Sequence, residues 1–166
     1  APKALVNMKS RRMQLMDAQG RFVRNIDPWQ VKSAYINLNP ENESIYARKP
    51  LKFWNQKMEI SGDEFFLHGD DQVSLVSGNS VLNFKDQKNN STLRARQTRV
   101  DTLTDFIKAL GEVHFQNANL MIDSQQMEYR QDKEAYRFYG QAELTQEDIT
   151  ILADEFKSLQ ITANVS

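Results

Sequence analysis

The sequence predicts an all-β protein made of one continuous series of antiparallel strands. Three observations support this: a spaced apolar pattern that recurs four times, alternation of apolar and polar residues, and regularly placed turn signals. The pattern is an apolar residue, a second one two positions later, and a bulky apolar residue seven positions after the first. Its copies are Met58/Ile60/Phe65, Leu93/Ala95/Val100, Leu120/Ile122/Met127 and Ile149/Ile151/Phe156. They start 35, 27 and 29 residues apart, which is typical of a repeating β-unit.

The seven-residue offset inside each copy predicts an interruption in the strand. Alternate residues of a strand share a face, so an odd offset requires the buried phase to flip. A β-bulge, or a strand that passes from one sheet to the other, would produce this flip. A glycine follows each of the first three copies, at Gly78, Gly111 and Gly140. A repeat of this kind creates an extended apolar surface and favours a carrier or scaffold over a catalyst.

Turn signals divide the chain into strand-sized segments. They lie at residues 17–20 (Asp-Ala-Gln-Gly), 39–42 (Asn-Pro-Glu-Asn), 68–71 (His-Gly-Asp-Asp), 88–91 (Lys-Asn-Asn-Ser) and 130–133 (Arg-Gln-Asp-Lys). Two pairs of alternating segments flank such turns and predict hairpins. These are Phe65-x-Leu67 with Val73-x-Leu75, and Met127-x-Tyr129 with Tyr136-x-Phe138. Residues 10–57 form a more degenerate part of the series, in which Val31-x-Ser33-x-x-x-x-Leu38 keeps the spacing.

Two segments also fit a helix. Residues 103–110 and 149–159 both carry apolar residues at helical spacing, and Thr145 or Asp148 could cap a helix over the second. The repeat favours a strand for residues 149–159.

Length and composition restrict the function. A chain of 166 residues predicts one domain over 1–166 with a substantial core. The formal net charge is −1, which argues against a nucleic-acid partner. Without cysteine, thiol catalysis and zinc–sulfur sites are excluded. No stretch reaches the roughly 20 apolar residues of a membrane span.

Several local motifs resemble the LptC and OstA-like family of lipopolysaccharide-transport proteins. The resemblance rests on Asp17-x-x-Gly20, on Tyr-Ala-Arg-Lys-Pro at 46–50 before Trp54, and on the stretch from Leu75 to Val81. The repeated apolar-x-apolar units followed by Gly-x-Val/Ala complete it. The likeness covers residues 10–157. The segment 145–166 runs beyond the usual LptC end, which leaves open whether the chain is LptC or a soluble OstA-like bridge protein.

The resemblance implies an open antiparallel β-jellyroll, a V-shaped sandwich whose apolar interior holds the acyl chains of lipopolysaccharide. It also implies a periplasmic location, with a tether to the inner membrane through an N-terminal helix absent from this chain. Its partners would be other jellyrolls and the inner-membrane transporter, joined through edge strands, and no cofactor is implied. The inward apolar residues expected to line the lipid groove are Ile60, Phe65, Leu67, Leu75, Leu93, Ala95, Val100, Val113, Phe115, Leu120, Ile122, Met127, Phe138 and Ile151. Gly20 is expected in a structural turn.

The basic cluster Arg94, Arg96 and Arg99 admits two interpretations. Leu93 and Ala95 should face inward, so Arg94 and Arg96 should face outward. On that face they serve solubility and edge protection, or they contact lipid A phosphates or an acidic partner strand.

Catalytic and metal sites have little support in the sequence. His68 and His114 are too far apart for a ligand motif, which predicts no metal site. The neighbouring carboxylates at 63–64, 70–71 and 154–155 would point to opposite faces of a strand, unlike the convergent pair of a glycosidase. Together with this lack of catalytic residues, the resemblance to the LptC and OstA-like family implies a non-enzymatic lipid carrier. The alternative is a β-sandwich module that binds carbohydrate or protein, through exposed aromatic residues such as Trp54 or Tyr139.

Overall fold

The computed structural model describes residues 3–21, 27–69, 73–85 and 90–159, with only the backbone of residues 158 and 159. Eleven strands form a single antiparallel sheet in which each strand pairs with its neighbours in the sequence. They are β1 (Lys3–Val6), β2 (Met13–Arg21), β3 (Gln30–Asn39), β4 (Ser44–Trp54), β5 (Met58–Leu67), β6 (Val73–Phe84), β7 (Ser91–Asp101), β8 (Phe106–Gln116), β9 (Met121–Arg130), β10 (Ala135–Gln146) and β11 (Ile149–Leu159). A 3-10 turn at Gln131–Lys133 joins β9 to β10.

A line of bulges crosses the middle of the sheet. Register shifts interrupt β5 between Ser61 and Glu64 and β7 between Arg94 and Gln97. The predicted phase flip is therefore confirmed, and bulges produce it. In β6, β8 and β10 the interruption contains a glycine and a second residue that both have positive φ. These pairs are Gly78/Asn79, Gly111/Glu112 and Gly140/Gln141.

Glycine is required at these positions for two reasons. Gly111 has φ of +78°, a conformation in which a side chain is strained. In addition, a Cβ at Gly111 would lie 3.1 Å from Cδ of Arg96 on β7. The bulge line thus explains why the repeat carries a glycine after each of its first three apolar motifs.

The bulges divide the sheet into two layers, which we call layer A and layer B. Each layer has an inner row of cross-strand partners that runs along the sheet. The row of layer A is Ala4, Leu15, Ile36, Ala47, Phe65, Val76, Thr98, Ala109, Met127, Phe138 and Phe156. The row of layer B is Gly20, Val31, Phe53, Ile60, Leu82, Leu93, Phe115, Ile122, Leu144 and Ile151.

The layers face each other across the interior. Phe84 of β6 and Tyr136 of β10 are four strands apart, which is about 19 Å in a flat sheet. Their ring centroids are nevertheless 5.7 Å apart. The sheet is therefore bent along the bulge line, which brings the inner faces of its two halves into contact.

The structure shows which secondary structure the two segments with helical spacing adopt. Residues 149–159 form β11, which confirms the strand favoured by the repeat. Residues 106–110 belong to β8, and a turn over 102–105 precedes them. The Asp101 carboxylate accepts hydrogen bonds from the backbone N–H of Leu103 (2.9 Å) and Thr104 (3.2 Å), which stabilises this turn.

The predicted turn at residues 17–20 is wrong. These residues continue β2, and Gly20 pairs with Val31 of β3. Asp17 has a positive φ of +50° inside this strand, and the pairing of β2 with β3 keeps the same register on both sides of it, so the motif lies within a strand instead of in a turn between strands. The turn at residues 39–42 is confirmed, whereas residues 70–71 and 88–89 of two other predicted turns lie outside the described part.

Leu75 does not face the interior. It pairs with Phe66 on the outer face of the sheet, and its neighbours Ser74 and Val76 are the buried residues. The segment 73–76 is mostly apolar on both faces, so alternation alone indicated the wrong phase.

Within the described ranges, no helix is long and apolar enough to cross a membrane.

Candidate functional site: an apolar interior open at both ends

The middle of the interior is closely packed. Most of the residues predicted to line a groove are buried there, with a relative exposure of 8% or less. They are Ile60, Phe65, Leu67, Leu93, Ala95, Val100, Val113, Phe115, Ile122, Met127 and Phe138. Leu120 is partly buried against this core. The predicted groove residues therefore come together, but in the middle of the sheet they form a core with little free space.

The two layers are offset along the sheet. Phe53 of β4 lies 5.0 Å from Phe65 of β5, and Phe115 of β8 lies 5.3 Å from Phe138 of β10. In both contacts, as in that between Phe84 and Tyr136, the layer-B residue meets a layer-A residue of a later strand. Among the described residues, the last strands of layer B consequently lack a covering strand, and so do the first strands of layer A.

At the β11 end, the inner row of layer B is uncovered. Ile151 is 48% exposed, whereas Ile60 in the same row is fully buried. Ile149, on the same face of β11, is 62% exposed. The predicted groove residue Ile151 therefore faces the interior side of the sheet, but it lies at an open end.

At the β1 end, the inner face of layer A is uncovered. Val6 pairs with Met13 on this face and is 53% exposed, and Leu15 is only partly buried. A cleft of about 790 Å³ also opens at this end, between the β1–β2 connection and the β3–β4 hairpin, and its lining includes the outer-face residues Leu5, Gln14, Asn37 and Tyr46. Val6, Leu38 and Arg12 also line this cleft.

Both ends of the sheet present an edge strand. Within the described residues, β1 pairs only with β2 and β11 pairs only with β10. β1 covers just residues 13–16 of β2, so the rest of β2 is also an edge. Such edges present backbone N–H and C=O groups that can pair with another strand.

Polar side chains join the layers at the margin opposite the bulge line. The indole N–H of Trp29, before β3, donates a hydrogen bond of 2.7 Å to Oδ1 of Asp105, before β8. The side-chain amide of Gln131 is assigned the orientation that allows hydrogen bonds to both of its neighbours. In this orientation its nitrogen donates to Oδ2 of Asp105 (3.0 Å), and its oxygen accepts from Nζ of Lys57 (2.6 Å). We call Trp29, Lys57, Asp105 and Gln131 the margin clasp.

The margin clasp packs against the core through Trp29, and the charge of its Asp105 carboxylate is unfavourable where it lies. Trp29 is fully buried and stacks on Phe53 with ring centroids 4.5 Å apart. Desolvation by burial raises the pKa of the Asp105 carboxyl above its ordinary value, against the hydrogen bond from Trp29, and the charge of Asp27 raises it further. The ionised carboxylate is thus disfavoured where it holds the layers together.

The arginine cluster lies on the outer face, as predicted. Arg94 and Arg96 are both exposed there. Arg96 forms an ion pair with Glu112 next to the bulge glycine, and this hydrogen bond and charge lower the pKa of Glu112. Arg94 pairs in register with His114, whose Nδ1 lies 2.6 Å from Oδ1 of Asp123.

The candidate carboxylates have structural partners. Asp63 lies 3.5 Å from Nζ of Lys49, and Glu64 accepts a hydrogen bond of 2.8 Å from the hydroxyl of Tyr46. In the described part of the chain, no group of three or more His, Cys, Asp and Glu residues is placed to hold a metal ion.

Trp54 and Tyr139, the aromatic residues expected to bind a ligand in the alternative function, lie beneath charged side chains. Lys52 Nζ lies 5.5 Å from the ring centroid of Trp54, and the Arg137 guanidinium carbon lies 4.9 Å from that of Tyr139. The Tyr139 hydroxyl also donates to Glu128 at 2.9 Å. These rings contribute to charged ladders on the outer face of the sheet.

Sequence reasoning missed the margin clasp. Its members are 26 to 102 residues apart in the chain and share no motif. The only local signal is Trp29, a large aromatic residue just before a strand, and it does not identify its partner.

Comparison with known proteins supports the fold. No protein-family model matches the chain, and no curated protein matches its sequence. Among solved structures it is similar to LptH from Pseudomonas aeruginosa, described as the LptA homologous periplasmic component of the conserved lipopolysaccharide transport device. The TM-score is 0.63 at 11% identity, over 81% of this chain and 96% of that chain. The predicted all-β, open antiparallel jellyroll is thus confirmed: the chain forms a single open sheet resembling the LptA/LptH jellyroll.

Proposed function

We propose that the protein is a non-enzymatic component of lipopolysaccharide transport in the periplasm. Its apolar interior holds acyl chains and passes them to a neighbouring jellyroll. The observation that carries this proposal is the apolar inner face that continues from the packed middle to uncovered rows at both ends. Contact with acyl chains would bury those rows at about 25 cal/mol per Å². The likeness to LptH in fold supports the same conclusion.

The partner is another jellyroll that presents the opposite end. The β11 end leaves layer B uncovered and the β1 end leaves layer A uncovered, so one end supplies the layer that the other lacks. Pairing of β11 with a partner's first strand would extend the sheet and cover both apolar rows. The protein would bind the inner-membrane transporter in the same way, by pairing of an edge strand.

The position of the protein in the bridge depends on its full gene. We propose a link between the inner-membrane transporter and a periplasmic bridge protein, with the N-terminal tether as a separate prediction. An encoded N-terminal membrane helix supports a tethered LptC-type protein. A cleavable signal peptide instead supports a soluble bridge protein.

Photo-crosslinking at the β11 end tests the proposal. Ile151 and Leu152 are neighbours on opposite faces of the same strand, and both are exposed. With photoreactive benzoylphenylalanine at each position in turn, position 151 should label purified lipopolysaccharide and position 152 should not. Equal labelling at the two positions, or none at position 151, contradicts a lipid path on the inner face.

The packed middle supports one alternative function. Many inner residues, including Ile60, Val76 and Leu93, are fully buried, as expected in a binding module that has no lipid groove. Such a module would bind carbohydrate or protein through its outer face. Trp54→Ala and Tyr139→Ala would then abolish ligand binding, whereas the lipid carrier should retain lipopolysaccharide labelling at position 151 in both variants.

A further inference from the structure

The margin clasp joins four connections, two from each layer. Trp29 and Lys57 belong to the β2–β3 and β4–β5 connections at the margin of layer B. Asp105 and Gln131 belong to the β7–β8 and β9–β10 connections at the margin of layer A. The hydrogen bonds from Trp29 to Asp105 and from Lys57 to Gln131 therefore both run from one layer to the other.

The two sides of the interior are connected in different ways. On the side opposite the margin, continuous strands connect the layers through the bulge line. At the margin, by contrast, the connections between the layers that the described residues make are side-chain hydrogen bonds. An acyl chain that reaches the packed middle has to separate the layers, because residues such as Phe65 and Met127 are fully buried there.

The polar groups around the clasp raise the free energy of its closed state. The Asp105 carboxylate is partly desolvated and lies near the charge of Asp27. Among the described residues, Oδ2 of Asp27 and Nδ2 of Asn55 are buried without a hydrogen-bond partner. Buried polar atoms of this kind favour a state in which water can reach them.

We propose that the margin clasp is a latch that holds the two layers closed, and that its release admits a lipid chain to the interior from the side. This inference rests on the proposed lipid-carrier function. The fully buried Trp29 couples the latch to the core, because its ring stacks on Phe53 of the inner layer-B row.

A reversible cross-link tests the latch. The chain has no cysteine, so Lys57→Cys with Gln131→Cys provides a unique pair for a short bis-methanethiosulfonate linker. The matched control is Lys52→Cys with Glu59→Cys, whose native side chains lie 2.8 Å apart on neighbouring strands of layer B. Uptake of dansyl-labelled lipid A from detergent solution is followed by stopped-flow fluorescence in each protein, before and after reduction.

The cross-link over the margin should slow uptake about tenfold or more, since about 1.4 kcal/mol of added barrier has that effect. Reduction should restore the rate, and the control cross-link should leave it unchanged. Equal rates in the locked and reduced proteins overturn the latch alone. If labelled lipid A binds neither of them, the proposed function fails and the latch fails with it.

A second measurement needs no lipid. In a Trp54→Phe background, Trp29 is the remaining tryptophan, and acrylamide quenching reports its access to solvent. Asp105→Ala removes the acceptor for the indole N–H and should raise the quenching constant about threefold, through local opening. Asp105→Asn retains an acceptor oxygen for the indole N–H, so the quenching constant of Trp29 in this variant should equal that of the parent. Equal quenching of the two variants overturns the latch.

Discussion

The middle of the sheet and its two ends carry the same apolar pattern but have different surroundings. Ile60 and Ile151 occupy the same inner row of layer B, and one is fully buried whereas the other is 48% exposed. The difference comes from the offset between the layers, because layer B meets layer A at later strands. The same repeat therefore produces a packed core where a covering strand exists and an exposed apolar surface where none exists among the described residues.

The largest difference between the middle and the ends should appear in stability. Ile60→Ala should lower the free energy of unfolding by about 2–5 kcal/mol, because it leaves a cavity in a packed core. Ile151→Ala should cost about 1 kcal/mol or less, because half of the side chain is already in water. Urea denaturation of both variants measures the effect. Similar losses would contradict the view that the β11 end is uncovered.

The bulge line should be the next most sensitive feature. Gly111→Ala should cost about 1–2 kcal/mol from its positive φ alone, and the added Cβ would also crowd Arg96. Gly20→Ala is the matched control inside β2, where a Cβ would lie 3.2 Å from Cγ1 of Val31. Thermal unfolding should therefore show a clearly lower Tm for the first variant. A lower Tm for Gly20→Ala would show that the bulge glycines are not special.

The clasp should make stability depend on pH. Because the pKa of Asp105 is raised by burial, its favourable contribution is present below the ordinary pKa of an aspartate and is lost as pH rises through the folded-state value. Asp105→Asn does not ionise, so the variant should be more stable than the parent at neutral pH and equal to it in acid. The gain should be smaller than the loss in Gly111→Ala, because solvent screens a half-exposed carboxylate.

Denaturation of the Asp105→Asn variant and the parent between pH 3 and pH 8 measures this difference. A variant that is less stable than the parent at neutral pH would show that the carboxylate charge strengthens the closed margin.

The smallest effect should come from the exposed ion pair of Arg96 and Glu112. Arg96→Gln should leave the urea midpoint unchanged within error, because solvent screens an exposed pair and ordering two long side chains costs entropy. A clear loss of stability would mean that Arg96 also supports the neighbouring bulge through its side-chain stem.

Much of the fold follows from the sequence, because bulges leave a periodic signal. The seven-residue offset and the recurrent glycines predicted both the interruption of the strands and most of the inner rows. The orientation of Leu75 was predicted wrongly because segment 73–76 is mostly apolar on both faces. The turn at Gly20 was predicted wrongly because the Asp-x-x-Gly motif, which is typical of a turn, lies inside β2.

The ends and the clasp could not be predicted in the same way. The exposure of Ile151 depends on the offset of the layers, which arises from bending and twisting of the whole sheet. The hydrogen bond between Trp29 and Asp105 joins residues 76 positions apart, and no local pattern requires it. Both features are properties of the whole folded sheet and not of any segment.

The most direct test of the lipid path is photo-crosslinking from the middle of the sheet. Ile122 lies on the inner face of β9 with 4% exposure, and the adjacent Asp123 lies on the outer face. Benzoylphenylalanine at position 122 should label lipopolysaccharide during transport, and benzoylphenylalanine at position 123 should not. Labelling at position 123 alone, or at neither position while position 151 is labelled, would contradict an interior route for the lipid.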